Sequence, residues 1–237
     1  MKKYVLLLLT VVTATTMMAQ DKVVHDPNAE KRSVSGFHAI HVEDGIDLYL
    51  SQGTEAVAVS AADLKYRAKI KTVVESGILK IFYDNEGVNI SWRDRRLKAY
   101  VSVKTLDEIR ASGGSDVDIN GGLRAERLSL GLSGGSDFEG IVEVSDLTVR
   151  ASGGSDVRIG GTTGNLSLRA SGGSDFKGFD LEAGKADIDV NGGSDAQVNV
   201  TKEMSVSASG GSDVDYKGGA VIKKISSSGS SSVSKRN

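Results

Sequence analysis

Ser112-Gly113-Gly114-Ser115-Asp116 is the stretch on which the reading of the whole chain turns. The same pattern returns at 133–137, 152–156, 171–175, 191–195 (with Asn191 leading) and 209–213, and a degenerate copy, Ser228-Gly229-Ser230-Ser231-Ser232, closes the series. Successive aspartates lie 21, 19, 19, 20 and 18 residues apart. A fixed period of this length marks a stacked-repeat architecture.

The residues between the turns repeat as well. Counting back from each Asp, positions −9, −7 and −5 read Leu128/Leu130/Leu132, Leu147/Val149/Ala151, Leu166/Leu168/Ala170, Ala186/Ile188/Val190 and Met204/Val206/Ala208. Apolar residues at every second position specify a strand with one buried face. Val117, Phe138, Val157, Phe176, Ala196 and Val214 follow the aspartates and start a second strand. The expected fold is therefore all-β, a parallel β-helix or solenoid with about 19 residues per repeat, one circuit stacked ~4.8 Å above the last. An antiparallel meander is the rival, and it needs two strands per repeat to bring identical turns to one end.

Outward from the repeats, residues 33–110 read as strands without the motif: Ile46/Leu48/Leu50, Val57/Val59, Leu79/Ile81 and 97–103, separated by Asp44-Gly45, Gln52-Gly53 and Ser76-Gly77. This section is expected to cap one end of the solenoid, covering an edge that would otherwise pair with another chain. At the start, Lys2-Lys3, the apolar run 4–12 and Met18-Ala19 form a signal-peptide pattern over residues 1–19, with a linker over 20–32. The apolar run is too short to span a bilayer, so the mature chain is expected to carry no transmembrane segment. Residues 111–233 are then the repeat β-helix and 234–237 a tail.

Composition excludes several classes. Apolar residues make up 39% and aromatics 5%, too few large rings for a thick sandwich core, while 29 glycines and one proline suit a chain that turns often. The formal net charge of −2 predicts no nucleic-acid partner. With no cysteine there is no disulfide, lipidated cysteine or thiolate chemistry. Three histidines, all before residue 42, leave little material for a catalytic triad, and acids that recur by repeat do not form a converging catalytic cluster.

The repeated Asp116, Asp137, Asp156, Asp175, Asp195 and Asp213 are the main candidates for chemistry. In register at ~4.8 Å, neighbouring carboxylates repel by about 0.9 kcal/mol in water. The reading adopted is structural, with each carboxylate accepting hydrogen bonds from backbone N–H groups of its own turn. The alternative is a column of calcium ions held by carboxylate and hydroxyl oxygens; no other cofactor is implied. Trp92, Arg93, Arg95 and Arg96 form an aromatic, basic patch, read as a solvated hairpin tip able to contact a sugar or anionic polymer. His25, His38 and His41 are weighed as metal ligands and set aside. Arg110, Arg150 and Arg169 share position −6 before their aspartates and are expected to line an outer sheet face.

Phe37-x-x-Ile40-x-Val42, Gly45-Ile46-Asp47-Leu48-x-Leu50-x-Gln52-Gly53, Gly77-x-Leu79-x-Ile81 and the Ser-Gly-Gly-Ser-Asp turns together resemble the auto-transporter adhesin, head GIN domain family. The resemblance covers 33–233, with Gly45-Ile46-Asp47 standing where the family name suggests Gly-Ile-Asn. It implies a right-handed β-helix, exported and non-enzymatic, with no catalytic residues to carry over. The function expected is an adhesin-like binding or structural module of the cell envelope. It would act in the periplasm, on the outer-membrane surface or outside the cell, on a cell-surface glycan or protein. Two alternatives stand beside it: a self-associating structural repeat protein, forming a homo-oligomer, and a β-helical polysaccharide-active enzyme.

Overall fold

The structure is a computed structural model that describes residues 26–85 and 95–237. The signal-peptide reading, His25, Trp92 and Arg93 fall outside the described residues. Five long bent strands form the body: β9 (Val117–Ser133), β10 (Phe138–Ser152), β11 (Asp156–Ser171), β12 (Asp175–Val190) and β13 (Asp195–Ala208). Each pairs in parallel with the next, Phe138 beside Val157 and Val149 beside Leu168, for instance. The chain is an all-β solenoid of about seven turns. The meander is excluded, because every one of these pairings is parallel.

Within one circuit the in–out alternation resets at the corners. In β9, Val117 and Ile119 point inward, then Leu123, then Leu128, Leu130 and Leu132, with exposed Gly121-Gly122 and Glu126-Arg127 between them. Each rung therefore has three short legs. At the first corner Gly161 has φ +107°, and a Cβ there would stand 2.0 Å from the carbonyl oxygen of Val142, so only glycine fits.

The core is a set of columns running through the stack. One passes from Leu79 through Ile40, Ile109, Leu130, Val149, Leu168 and Ile188 to Val206. Its lower members belong to β2 (Ala39–Val42), β6 (Ile78–Tyr83) and β8 (Glu108–Ala111). The N-terminal strands thus enter the same sheet. β3 (Asp47–Gln52) lies parallel between β7 (Lys98–Val103) and β9. Beyond them the pairing turns antiparallel: β1 (Glu30–Arg32) on β4 (Ala56–Ser60), β4 on β7, and β5 (Ile70–Glu75) on β6. A short helix, α1 (Leu64–Arg67), starts at Asp63, whose carboxylate accepts from the Lys65 N–H. At the far end β14 (Asp213–Lys217), β15 (Val221–Ser227) and β16 (Ser232–Lys235) form the last rungs.

The turns are tied to one another by the second serine of the motif. Ser115, Ser136, Ser155, Ser174, Ser194 and Ser212 are fully buried. The N–H of Ser115 donates to Ser136 Oγ at 3.1 Å, Ser136 to Ser155 at 3.3 Å, Ser155 to Ser174 at 3.1 Å and Ser174 to Ser194 at 3.0 Å. Ser174 Oγ in turn donates to the Ser171 carbonyl at 3.1 Å within its own turn. Ser155 and Ser174 both close their own loops and satisfy a buried N–H of the preceding one. Ile46 N–H feeds the same ladder through Ser115 Oγ at 3.1 Å. Glu43-Asp44-Gly45-Ile46-Asp47 is therefore an additional copy of the turn. Asp44 and Gly45 (φ 67° and 70°) reproduce Gly113 and Gly114 (66° and 74°).

Ser174→Ala leaves the Ser155 N–H and the Ser171 carbonyl without partners in the interior. We expect a loss of roughly 1–3 kcal/mol per orphaned group. In thermal melting this lowers the midpoint by several degrees, while Ser167→Ala on the outer surface changes it by under about 1 °C; equal midpoints would refute the ladder's role.

Candidate functional site

Two outer faces carry the residues singled out from the sequence. On the first leg, Asp116, Asp137, Asp156, Asp175, Asp195 and Asp213 form one outward column, and Asp47 extends it, since Leu48 pairs with Val117. The carboxylates bind between turns rather than within their own, a correction to the expectation. Asp116 Oδ1 accepts the Asp137 N–H at 3.2 Å, Asp137 Oδ1 the Asp156 N–H at 3.3 Å, and Asp195 Oδ1 the Asp213 N–H at 3.2 Å. The reason is that the N–H one place earlier is already taken by the serine ladder. Lys177 lies 3.5 Å from both Asp156 and Asp175, and Ser232 Oγ donates to Asp213 at 2.6 Å.

Among the described residues no group of three or more His, Cys, Asp or Glu is arranged to hold a metal. The column is linear, and Asp116, Asp137 and Asp195 each turn an oxygen to the next rung's backbone. His38 Nδ1 sits 3.0 Å from Asp107, and His41 Nε2 2.6 Å from Glu108, which Arg110 also engages. Burial, with Asp116 as neighbour, raises the Asp47 carboxyl above the usual aspartate range, and Lys98 offsets part of this. Burial also raises Asp116, helped by the Asp137 charge and opposed by the Asp137 N–H.

The third leg presents a different surface. Three outward columns run side by side across β9, β10 and β11: Ser129–Thr148–Ser167, Gly131–Arg150–Arg169 and Ser133–Ser152–Ser171. Below Gly131 the middle column continues to Arg110 and His41. Arg110 is engaged by Glu108, Nε to Oε1 at 2.9 Å, whereas Arg150 and Arg169 are exposed and make no ion pair. Gly131 leaves a shallow recess of about 350 Å³ bounded by His41, Glu43, Arg110, Arg150, Ser133 and Ser152. On the next rung Asp187 and Asp189 reverse the charge of the face.

The aromatic, basic patch is reorganised. Arg95 is 2% exposed, its guanidinium 4.6 Å from the Tyr83 ring centre and Nη1 3.2 Å from Asn85 Oδ1. It is a core-facing group rather than part of a hairpin tip, because the amphipathic side chain lays its stem and charge over the ring. Arg96, with φ 45°, faces solvent.

With this geometry in view, the comparisons with known proteins can be placed. The family model "Putative auto-transporter adhesin, head GIN domain" matches residues 36–220, and the chain belongs to that family. Among solved structures, a "putative adhesin" from Bacteroides fragilis NCTC 9343 superimposes with TM-score 0.82 at 22% identity, covering 88% of this chain and 96% of that one. A "putative lipid binding protein" from Parabacteroides distasonis ATCC 8503 gives TM-score 0.68 at 20% identity, covering 90% and 98%. A "putative adhesin" from Parabacteroides merdae ATCC 43184 gives 0.67 at 16%, covering 88% and 95%. At these identities the likeness is one of fold. Among functionally curated proteins none matches.

The raised Asp116 sets a sign for pH dependence. In the window between its unfolded value, about 3.9, and its higher folded value, the folded chain holds more protons. Stability therefore falls as pH rises through that window. Asp116→Asn keeps the acceptor for the Asp137 N–H and removes the charge. Its midpoint is expected about 2 °C above wild type at pH 7 and equal to it at pH 3; a lower midpoint at pH 7 would show that the carboxylate charge stabilises the column.

Proposed function

We propose that this protein is an exported, non-enzymatic, adhesin-like binding module of the cell envelope that engages its partner through the flat third-leg face. The carrying observation is the patch over β9–β11, where two unpaired guanidiniums lie between two rows of hydroxyls with no acid among them. A rigid, polar, planar array of this kind suits recognition of an extended surface polymer. The family is consistent with that role, and the signal-peptide pattern at residues 1–19 supports export. The non-enzymatic reading rests on charged groups that recur rung by rung or sit in surface salt bridges, which is not the enclosed, non-repeating acid–base set that catalysis needs. Among the described residues no helix is long and apolar enough to cross a membrane.

A glycan array probed with the mature protein tests this reading. We expect selective retention on a subset of glycans, reduced at least tenfold by Arg150→Ala with Arg169→Ala. A blank array, together with no capture on a panel of immobilised envelope and host-surface proteins, would refute it.

One further observation favours the self-association alternative. The last rung leaves Val221, Ile222 and Ile225 exposed at 61%, 40% and 43% on the edge strand β15. Unpaired edges of this kind recruit strands from second copies. Sedimentation velocity over a hundredfold concentration range decides: a rising coefficient abolished by Ile222→Lys with Ile225→Lys supports it, and one invariant species removes it.

A further inference from the structure

The geometry points to an anionic polysaccharide as the occupant of the third-leg face, seated in the recess that Gly131 opens between Arg110 and Arg150. This inference rests on the binding-module reading and names its ligand class.

The column runs His41, Arg110, Gly131, Arg150, Arg169 in successive rungs, with Glu108 engaging the first two and Arg150 and Arg169 left as its unpaired cations among the described residues. Four rung spacings of ~4.8 Å give a strip of roughly 19 Å. Arg150 and Arg169 stand in register with no acid within ion-pair distance. A planar guanidinium presents paired N–H donors that match a carboxylate or sulfate. Glycine in the middle of the strip removes a side chain where the two arginines flank the gap. The resulting recess of about 350 Å³ lies within the range of small-ligand sites.

The surroundings select a sugar over other polyanions. Ser129, Thr148, Ser167 and Ser133 make no side-chain hydrogen bond within the protein, so their hydroxyls are available to ligand hydroxyls on both sides of the arginines. Among the described residues no aromatic ring lies on this patch to stack a nucleobase, and no apolar pocket opens on it for a peptide side chain. Asp189, next in the column after Arg169, ends the cationic strip. Glu43 at the rim of the recess favours a ligand whose charges are spaced by neutral groups over one charged at every position.

The test is surface plasmon resonance on immobilised dextran sulfate, polygalacturonate, neutral dextran and poly-glutamate at 0.1 M salt. The expected result is binding to dextran sulfate, polygalacturonate or both, at least tenfold tighter than to neutral dextran and poly-glutamate. Response to one polymer alone identifies sulfate or carboxylate as the recognised group. Arg150→Ala with Arg169→Ala, and separately Gly131→Glu, should each weaken binding at least tenfold. Asp116→Asn on the first leg should leave it unchanged. A Cβ at position 131 meets Arg110 Cγ at 3.4 Å, an ordinary contact, so Gly131→Glu is expected to melt like wild type. Absence of binding to both acidic polysaccharides overturns the proposal, as does equal binding to poly-glutamate or full affinity in Gly131→Glu. If neutral glycans on the array bind while these polymers do not, only the ligand class fails; if nothing binds anywhere, the module reading falls with it.

Discussion

The stacking of the repeats depends on one buried hydroxyl standing in the same place in six successive turns. A parallel solenoid with three legs per rung must turn sharply at each corner, and a tight turn in the interior of a stack exposes N–H and carbonyl groups to no solvent. Here Ser155, Ser174 and their equivalents take up both kinds of group, one from the turn's own loop and one from the loop below. The bond direction along the ladder is constant, so each rung's register is set by its neighbour. The apolar columns supply the bulk of the stabilisation. The serines make only one stacking register free of unsatisfied polar atoms.

The glycines show how closely the turn follows from this stacking. A Cβ on Gly153 would stand 3.1 Å from the Gly134 N–H nitrogen, so the first glycine is required by the approach of the rung below as well as by φ +71°. The second glycine is different. It has positive φ at 114, 135, 154 and 173, but not at 193 or 211. In the later turns its N–H donates instead to the first glycine's carbonyl one rung earlier, Gly211 to Gly192 at 2.7 Å. Once the turn adopts that form a side chain is tolerated, and the degenerate copy carries Ser230 there, donating to Gly210 at 2.7 Å. The sequence degeneracy at 228–232 follows a change of turn conformation rather than a loss of the rung.

Much of this was legible in advance. Period, parallel pairing and inward columns all follow from alternation and spacing, because identical turns at ~19 residues permit few other arrangements. The role of the motif's fourth residue was not legible, since Ser and Asp recur with equal regularity and a carboxylate draws attention to its charge. Nor was the turn at Glu43–Asp47 visible as a repeat: it shares one glycine and one aspartate with the pattern, and Ile46 fills the serine's place from a side chain that needs no partner. Arg95 was misread for a related reason. A run of arginines beside a tryptophan suggests a solvated tip, but nothing local signals that Tyr83 offers a ring beneath one of them. On the third leg, the shared −6 position of Arg110, Arg150 and Arg169 pointed to a common face, while the importance of Gly131 emerged only when the rungs were aligned.

The two charged faces show why a repeat protein can carry a localised site. The Asp column is a product of the turn: the residue recurs because the motif recurs, and its carboxylates are engaged by adjacent-rung N–H groups at Asp116, Asp137 and Asp195, by Lys177 at Asp156 and Asp175, and by Ser232 at Asp213. Its mutual repulsion, about 0.9 kcal/mol per neighbouring pair in water, is offset locally by those N–H donors and by Lys177. The arginines lie on the leg that leads into the turn, two residues before it, at a position that is Gly131, Asp189 or Ser207 in other rungs. That position is free to vary, and nothing in the stacking calls for charge there. Arg150 and Arg169 repel in the same way as two carboxylates, and the column returns to an acid only at Asp189, in register beside Arg169. On the proposed reading a ligand supplies further negative charge to this pair, and the functional information of the chain then lies in the variable positions of the repeat.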